Sequence, residues 1–225
     1  MKKKSLIMLV CAALVLTSVA FGTIAYLTSQ DEITNTFTMG KVNITVDETE
    51  VDENGEPVVD DEGNTERTDE GNDYTLVPGK DYTKDPTVTV KAGSEDSYVR
   101  MLLTYNKAAA LKAIFPAGDP YFVEDLNEDF WKLTDTIEDS VNDTITFVFN
   151  YYDAENENSV VAGAAADYQL PALFTTIEVP GTVTGEELET LAGLTMNAKA
   201  QAIQVYSFEE DEAAAWAMFE AQIGA

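Results

Sequence analysis

The chain has 225 residues, with 41 acidic and 13 basic side chains, a formal net charge of −28 and no histidine. So acidic a surface repels nucleic acid and anionic membrane, which removes both as partners. Without histidine there is no Ser-His-Asp triad and no H-E-x-x-H zinc site, and the G-x-S-x-G, Walker-type and S-x-x-K patterns are absent as well. With this many acids, carboxylate pairs occur by chance and carry no argument for hydrolysis.

In chain order, Lys2, Lys3 and Lys4 precede an apolar run from Leu6 to Ala20, and Thr23 and Ala25 offer a small-residue cleavage site ahead of Tyr26. This predicts a signal-peptide helix over 1–25 and an exported mature chain; an uncleaved anchor over 5–27 is the rival reading. Cleavage removes three lysines and no acid, leaving 10 basic against 41 acidic side chains, a net of −31. It also removes Cys11, an ordinary member of the apolar run. An exported domain of about 200 residues without disulfides must be held by its core, and that length suits one sandwich or barrel.

Apolar residues then fall on odd positions (Leu27, Ile33, Phe37, Met39) and afterwards on even ones (Val42, Ile44, Val46), with the slip at Gly40. A strand has a side-chain period of two, so the slip predicts two strand-like pieces with a hinge at Gly40: an N-terminal segment over 26–40 and a single domain over 41–225. From Asp47 to Asp73 there are thirteen acids and one base, which predicts an exposed, mobile acidic insertion over 47–73 with a hairpin turn at Asn54-Gly55. Within it Glu50, Asp52, Asn54 and Asp61 are spaced like the ligands of a calcium loop. Glutamate at the first ligand, aspartate at the last, a proline at the eighth position and no predicted flanking helices depart from the pattern. No other cofactor is indicated.

Beyond a turn at Pro78-Gly79, Thr87–Val90 reads as a short strand, and Tyr98–Tyr105 as a longer one with Val99, Met101, Leu103 and Tyr105 on one face. Asn106 is placed to cap a helix from Lys107 to Phe115 that Pro116 stops. Ile145, Phe147, Phe149 and Tyr151 alternate into a strand, as do Leu173, Ile177 and Val179 in the next. Thr184 and Glu187 form a capping box for a short helix ending near Gly193, and Met196–Tyr206 reads as a last strand whose alanines imply close packing. A second capping box at Ser207 opens a C-terminal helix whose Trp216 and Phe219 are expected to seal one end of the sandwich. The pattern as a whole is mainly β, an antiparallel sandwich with short peripheral helices.

The junction AYLTSQDEITNTFTMGKVNITVDE, the segment YTLVPGKDYTKDPTVTVKAGSEDSYVRM and the ending AKAQAIQVYSF with its Trp-containing helix resemble the TasA/camelysin family of exported Gram-positive proteins. The resemblance implies a jelly-roll β-sandwich, a SipW-type signal peptidase as processing partner, and a place in the biofilm matrix or at the cell surface. It further implies self-association into fibres, in which Tyr26 to about Met39 of one subunit adds as a strand to the next, with Leu27, Ile33, Phe37 and Met39 filling acceptor pockets. Other matrix proteins or polysaccharide are further partners of such a subunit. The acidic insertion and the stretch from Glu124 to Asp143 do not match the family's pattern. The alternatives are a camelysin-like surface protease, which the absence of histidine does not support, and a non-polymerising binding module or adhesin.

Overall fold

The computed structural model describes residues 28–32, 35–37, 42–116, 120–163, 165–206, 208 and 211–223, with backbone alone for 28–37. The chain is mainly β and antiparallel, as its alternating patterns require. Its larger sheet is built on β7 (Ser97–Asn106), flanked by β13 (Met196–Gln204) and β9 (Thr144–Tyr151). β8 (Trp131–Asp139) forms one edge beside β9. On the other side β1 (Thr28–Glu32) pairs with β13 and β2 (Asn35–Phe37) with β1, while β10 (Val160–Val161) pairs with the start of β7. A second sheet has the order β11 (Tyr168–Gln169), β6 (Thr87–Val90), β3 (Ile44–Thr49), β4 (Arg67–Thr68), and β5 (Lys80–Thr83) pairs with β12 (Thr176–Val179).

The predicted inward faces meet in one core. Val99, Met101, Leu103 and Tyr105 of β7, Ile145, Phe147 and Phe149 of β9, and Ala198, Ala200 and Ala202 of β13 pack with Ile44, Val46, Val88 and Val90 of the second sheet. The result is a jelly-roll-like sandwich. Each large side chain so buried contributes roughly 1.5–3 kcal/mol, the term that replaces disulfides here.

Four expectations are corrected. First, 27–39 is not one strand, because the described parts form a hairpin in which Gln30 pairs with Phe37 and Glu32 with Asn35. Chain connectivity gives the reason. β1 runs from Ile203 toward Ala200 of β13, away from the Ser97–Gln204 end, yet Asn43 is hydrogen-bonded to Ser94 near that end, so the chain has to turn back.

Second, the acidic segment is neither a free loop nor an insertion from Asp47. Residues 47–49 belong to β3, and the rest is a hydrogen-bonded ladder, described below. Third, helix α1 (Ala108–Ile114) is capped by Asp143, not Asn106. The Asp143 carbonyl accepts from the Ala108 N–H at 3.1 Å and its carboxylate from the Ala109 N–H at 2.9 Å, while Lys107 adopts φ 56°. Asn106 instead clasps the 193–195 loop, donating to Gly193 O at 3.0 Å and accepting from Thr195 N–H at 2.8 Å. The capping box of α2 (Gly185–Thr190), by contrast, is formed by Thr184 and Glu187 as predicted.

Fourth, helix α3 (Glu212–Ile223) lies on the outer face of the larger sheet and not over an end. Asp211 caps it, accepting from Ala214 N–H at 3.0 Å; Ser207 lies outside the described residues. Trp216 and Phe219 pack with Tyr98 and Ile203, residues of opposite parity to the core-facing set. The Arg100 guanidinium stacks 4.3 Å from the Trp216 ring centroid and donates to Gln201 Oε1 at 2.7 Å and Glu220 Oε1 at 3.0 Å. Phe219 is fully buried, so Phe219→Ala should lower the unfolding free energy by about 3–4 kcal/mol in urea denaturation, with α3 released from the sheet.

Candidate functional site

The residues predicted to act at the N-terminal junction fall mostly outside the described ones: Thr23, Ala25, Tyr26, Leu27, Ile33, Met39 and the hinge Gly40. Phe37 is described by its backbone, in β2. What the structure supplies is the surface on which this segment sits. β1 pairs with β13 through only four couples, Thr28 with Ile203 to Asp31 with Ala200. No described strand pairs with residues 196–199 of β13 on that side.

This half of β13, which no described strand pairs on that side, leads into a cleft of about 450 Å3 lined by Leu191, Leu194 and Met196, by Tyr74 and Leu76, and by Phe122. Its size is that of a ligand or side-chain receptacle. Lys84 also lines it, 6% exposed, and forms a buried ion pair with Glu48, which is 3% exposed. The second carboxylate oxygen of Glu48 accepts from Asn72 Nδ2 at 2.9 Å, and Asn72 also donates to Thr49 O at 2.8 Å. One polar knot thus ties β3, the end of β5 and the tail of the acidic segment into the wall of the cleft. Sequence reasoning passed over both charges. Glu48 carried a readable mark, since it continues the inward parity of Val42, Ile44 and Val46.

The four proposed calcium ligands are not brought together. Asp52 and Asn54 share one turn, Asp61 lies in the next, and Glu50 is a rung of the ladder that joins the turns. This ladder repeats every eight residues. Glu50 N–H donates to Glu66 O, Glu66 N–H to Val58 O and Val58 N–H to Glu50 O, at 2.9, 2.9 and 2.8 Å, a closed cycle of three. Five residues after each rung stands a glycine, at 55, 63 and 71, with φ of 77°, 86° and 82°. Gly55 is doubly constrained, because a Cβ there would lie 2.4 Å from the Tyr82 ring.

The Asp52 and Asp60 carboxylates close their turns. Asp52 accepts from the N–H groups of Glu56 and Asn54, and Asp60 from the Asn64 side chain and backbone; these bonds hold both below the ordinary carboxylate value. Among the described residues one group of three carboxylates does converge. Asp81, Glu124 and Glu178 have ligand oxygens within 4.8 Å of one another, with Asp81 and Glu178 directly paired across β5 and β12. The donor set is all oxygen, suited to a hard cation and not to zinc.

Two outcomes follow. Asp52 and Asp60 have folded-state pKa values below their unfolded ones, so their contribution is complete above about pH 4 and is lost as pH falls further. NMR titration should find both carboxylates protonating below the exposed acids, with the 52–66 amide shifts collapsing over the same range. Lys84→Met should cost roughly 3–5 kcal/mol by stranding Glu48, and the double change Glu48→Gln with Lys84→Met should recover most of it in thermal or urea unfolding.

Comparison with known proteins bears on the N-terminal region. Residues 1–55 match the family model described as camelysin metallo-endopeptidase, in agreement with the resemblance drawn from the junction sequence. The match spans the proposed signal, the β1–β2 hairpin, β3 and the first ladder turn. No curated protein matches the chain, and no solved structure does. The family's description implies a metal-dependent peptidase centre, and the residues here do not fit one. The chain holds no histidine, and the carboxylate trio lacks the nitrogen ligands and adjacent base of such a centre.

Proposed function

We propose that this protein is an exported structural subunit of a cell surface or extracellular matrix, processed by a SipW-type signal peptidase and assembling by exchange of its N-terminal strand. The observation that carries the reading is the attachment of β1 to β13. It rests on four paired couples, and the element that leaves would expose a long, regular edge whose inward face is Ala198, Ala200 and Ala202. Such an edge takes up an added strand by main-chain hydrogen bonding.

The remaining edges of the same sheet are defended. β8 is broken by a bulge between Leu133 and Asp135 and carries Asp135, Glu138 and Asp139, and β2 has three residues. A bulge, edge charges and shortness each oppose strand addition. Exchange at β13 is therefore favoured over lateral stacking of edges. Cleavage after Ala25 would free the segment just ahead of Thr28, where β1 begins.

The camelysin description makes a surface peptidase the second reading, and casein hydrolysis lost on changing Asp81, Glu124 or Glu178 would support it. For the first reading, the mature chain beginning at Tyr26 is compared by electron microscopy with a chain beginning at Gly40. Fibres or linear oligomers are expected from the first and none from the second. If both stay monomeric across pH and calcium concentration, assembly by strand exchange is wrong.

A further inference from the structure

We propose that this chain closes a covalent bond on itself, an amide between Lys84 Nζ and Asn72 Cγ formed in the buried knot beside the cleft, with Glu48 moving the protons. The three side chains are already in contact. Lys84 pairs with Glu48 through Oε2, and Asn72 Nδ2 donates to Oε1 of the same carboxylate at 2.9 Å. One acid thus holds a primary amine and a carboxamide side by side, which replaces a chance encounter with a fixed pair. Lys84 and Glu48 are buried, and the Tyr74 ring centroid lies 5.7 Å from Lys84 Nζ. The carboxamide is held at both ends. Its oxygen accepts from the Val51 N–H at 3.0 Å, and its nitrogen also donates to Thr49 O at 2.8 Å. A salt bridge needs only an acid and a base. Here the third member is an amide whose oxygen faces a backbone donor and whose nitrogen rests on the acid.

The step is neither an oxidation nor a reduction and needs no second reactant. Lys84 passes one proton to Glu48 and becomes a free amine, whose lone pair attacks Asn72 Cγ to form the Nζ–Cγ bond. Negative charge develops on Asn72 Oδ1, where the Val51 N–H is in place to stabilise it. Glu48 then protonates Asn72 Nδ2 through the contact it already makes, the Cγ–Nδ2 bond breaks, and the nitrogen leaves as ammonia. The new amide nitrogen gives its extra proton to Glu48, so the charge of the amine and that of the acid vanish together. Removal of a buried pair of charges favours the product. Asn72 and Lys84 both line the cleft, which gives the ammonia a way out. The bond closes the loop 72–84, which carries the Pro78-Gly79 turn and β5, in a mature chain that has no cysteine. It forms within one chain, whether or not the chains assemble. The ion pair is the state in which the chain folds, and the amide follows on standing.

The chain beginning at Tyr26 is folded, incubated at neutral pH and weighed by intact mass spectrometry. A mass lower by one ammonia, about 17 Da, is expected, whereas the same chain kept unfolded in urea retains its full mass. Trypsin then reads the position. Lys80 lies inside the closed loop, so cleavage after Arg67, Lys80 and Lys91 leaves peptides 68–80 and 81–91 joined as one branched species. Glu48→Gln and Lys84→Arg should each keep the full mass, with circular dichroism checking that the sheet persists. Full mass in the folded parent chain overturns the bond, and this outcome requires no variant to fold. So does a loss of ammonia with 68–80 and 81–91 separating, which places the loss elsewhere, as in a succinimide at Asn54-Gly55. A bond that forms undiminished in folded Glu48→Gln overturns the role of Glu48.

Discussion

The fold depends on how β13 is paired. One edge is secured by nine couples to β7, the longest ladder among the described strands. The other is covered by β1 over four. Backbone groups in a strand need partners, and a strand that described neighbours pair over only part of one side is a place where a sheet can accept change. Much else bears on this asymmetry. Asn106 fixes the loop that feeds β13, the Glu48–Lys84–Asn72 knot walls the cleft beside it, and α3 braces the far face through Arg100, Trp216 and Phe219. Support on three sides leaves the β1 side with fewer described couples than the β7 side.

Charge acts on the same surface in a different way. A strongly negative molecule repels its own copies, which holds subunits apart unless main-chain pairing or counterions offset the repulsion. Much of that charge is gathered in the eight-residue turns, where individual carboxylates also cap backbone N–H groups. The acidic segment is thus an ordered structure, and its acids perform local work even before any partner is considered.

The sequence made the core strands legible because their alternation is strict: Val99 to Tyr105 and Ile145 to Tyr151 each present one apolar face. β8 was not legible, since the bulge between Leu133 and Asp135 sets Leu133 and Ile137, at positions of the same parity, opposite Phe149 and Thr146 on different faces, and the surrounding residues are exposed. The caps at Asp143 and Asp211 escaped notice for unlike reasons. Asp143 acts across 34 positions, beyond any local pattern, whereas Asp211 was outcompeted by the better-looking Ser207. The hairpin in the N-terminal segment has no turn signature at all; distance between anchored ends dictates it. The three glycines of the acidic segment were visible, but reading them as separate turns hid their common spacing.

The closed cycle linking Glu50, Val58 and Glu66 sets a rule for how this segment can vary in length. In an open stack of repeats each rung leaves a free group for the next, so units are gained or lost one at a time. Here the third rung returns to the first, and all three N–H groups and all three carbonyls are consumed. A fourth octad would have no rung to join and a missing one would leave two groups orphaned. Substitution at the exposed turn tips away from Gly55 leaves the three rungs and their count intact.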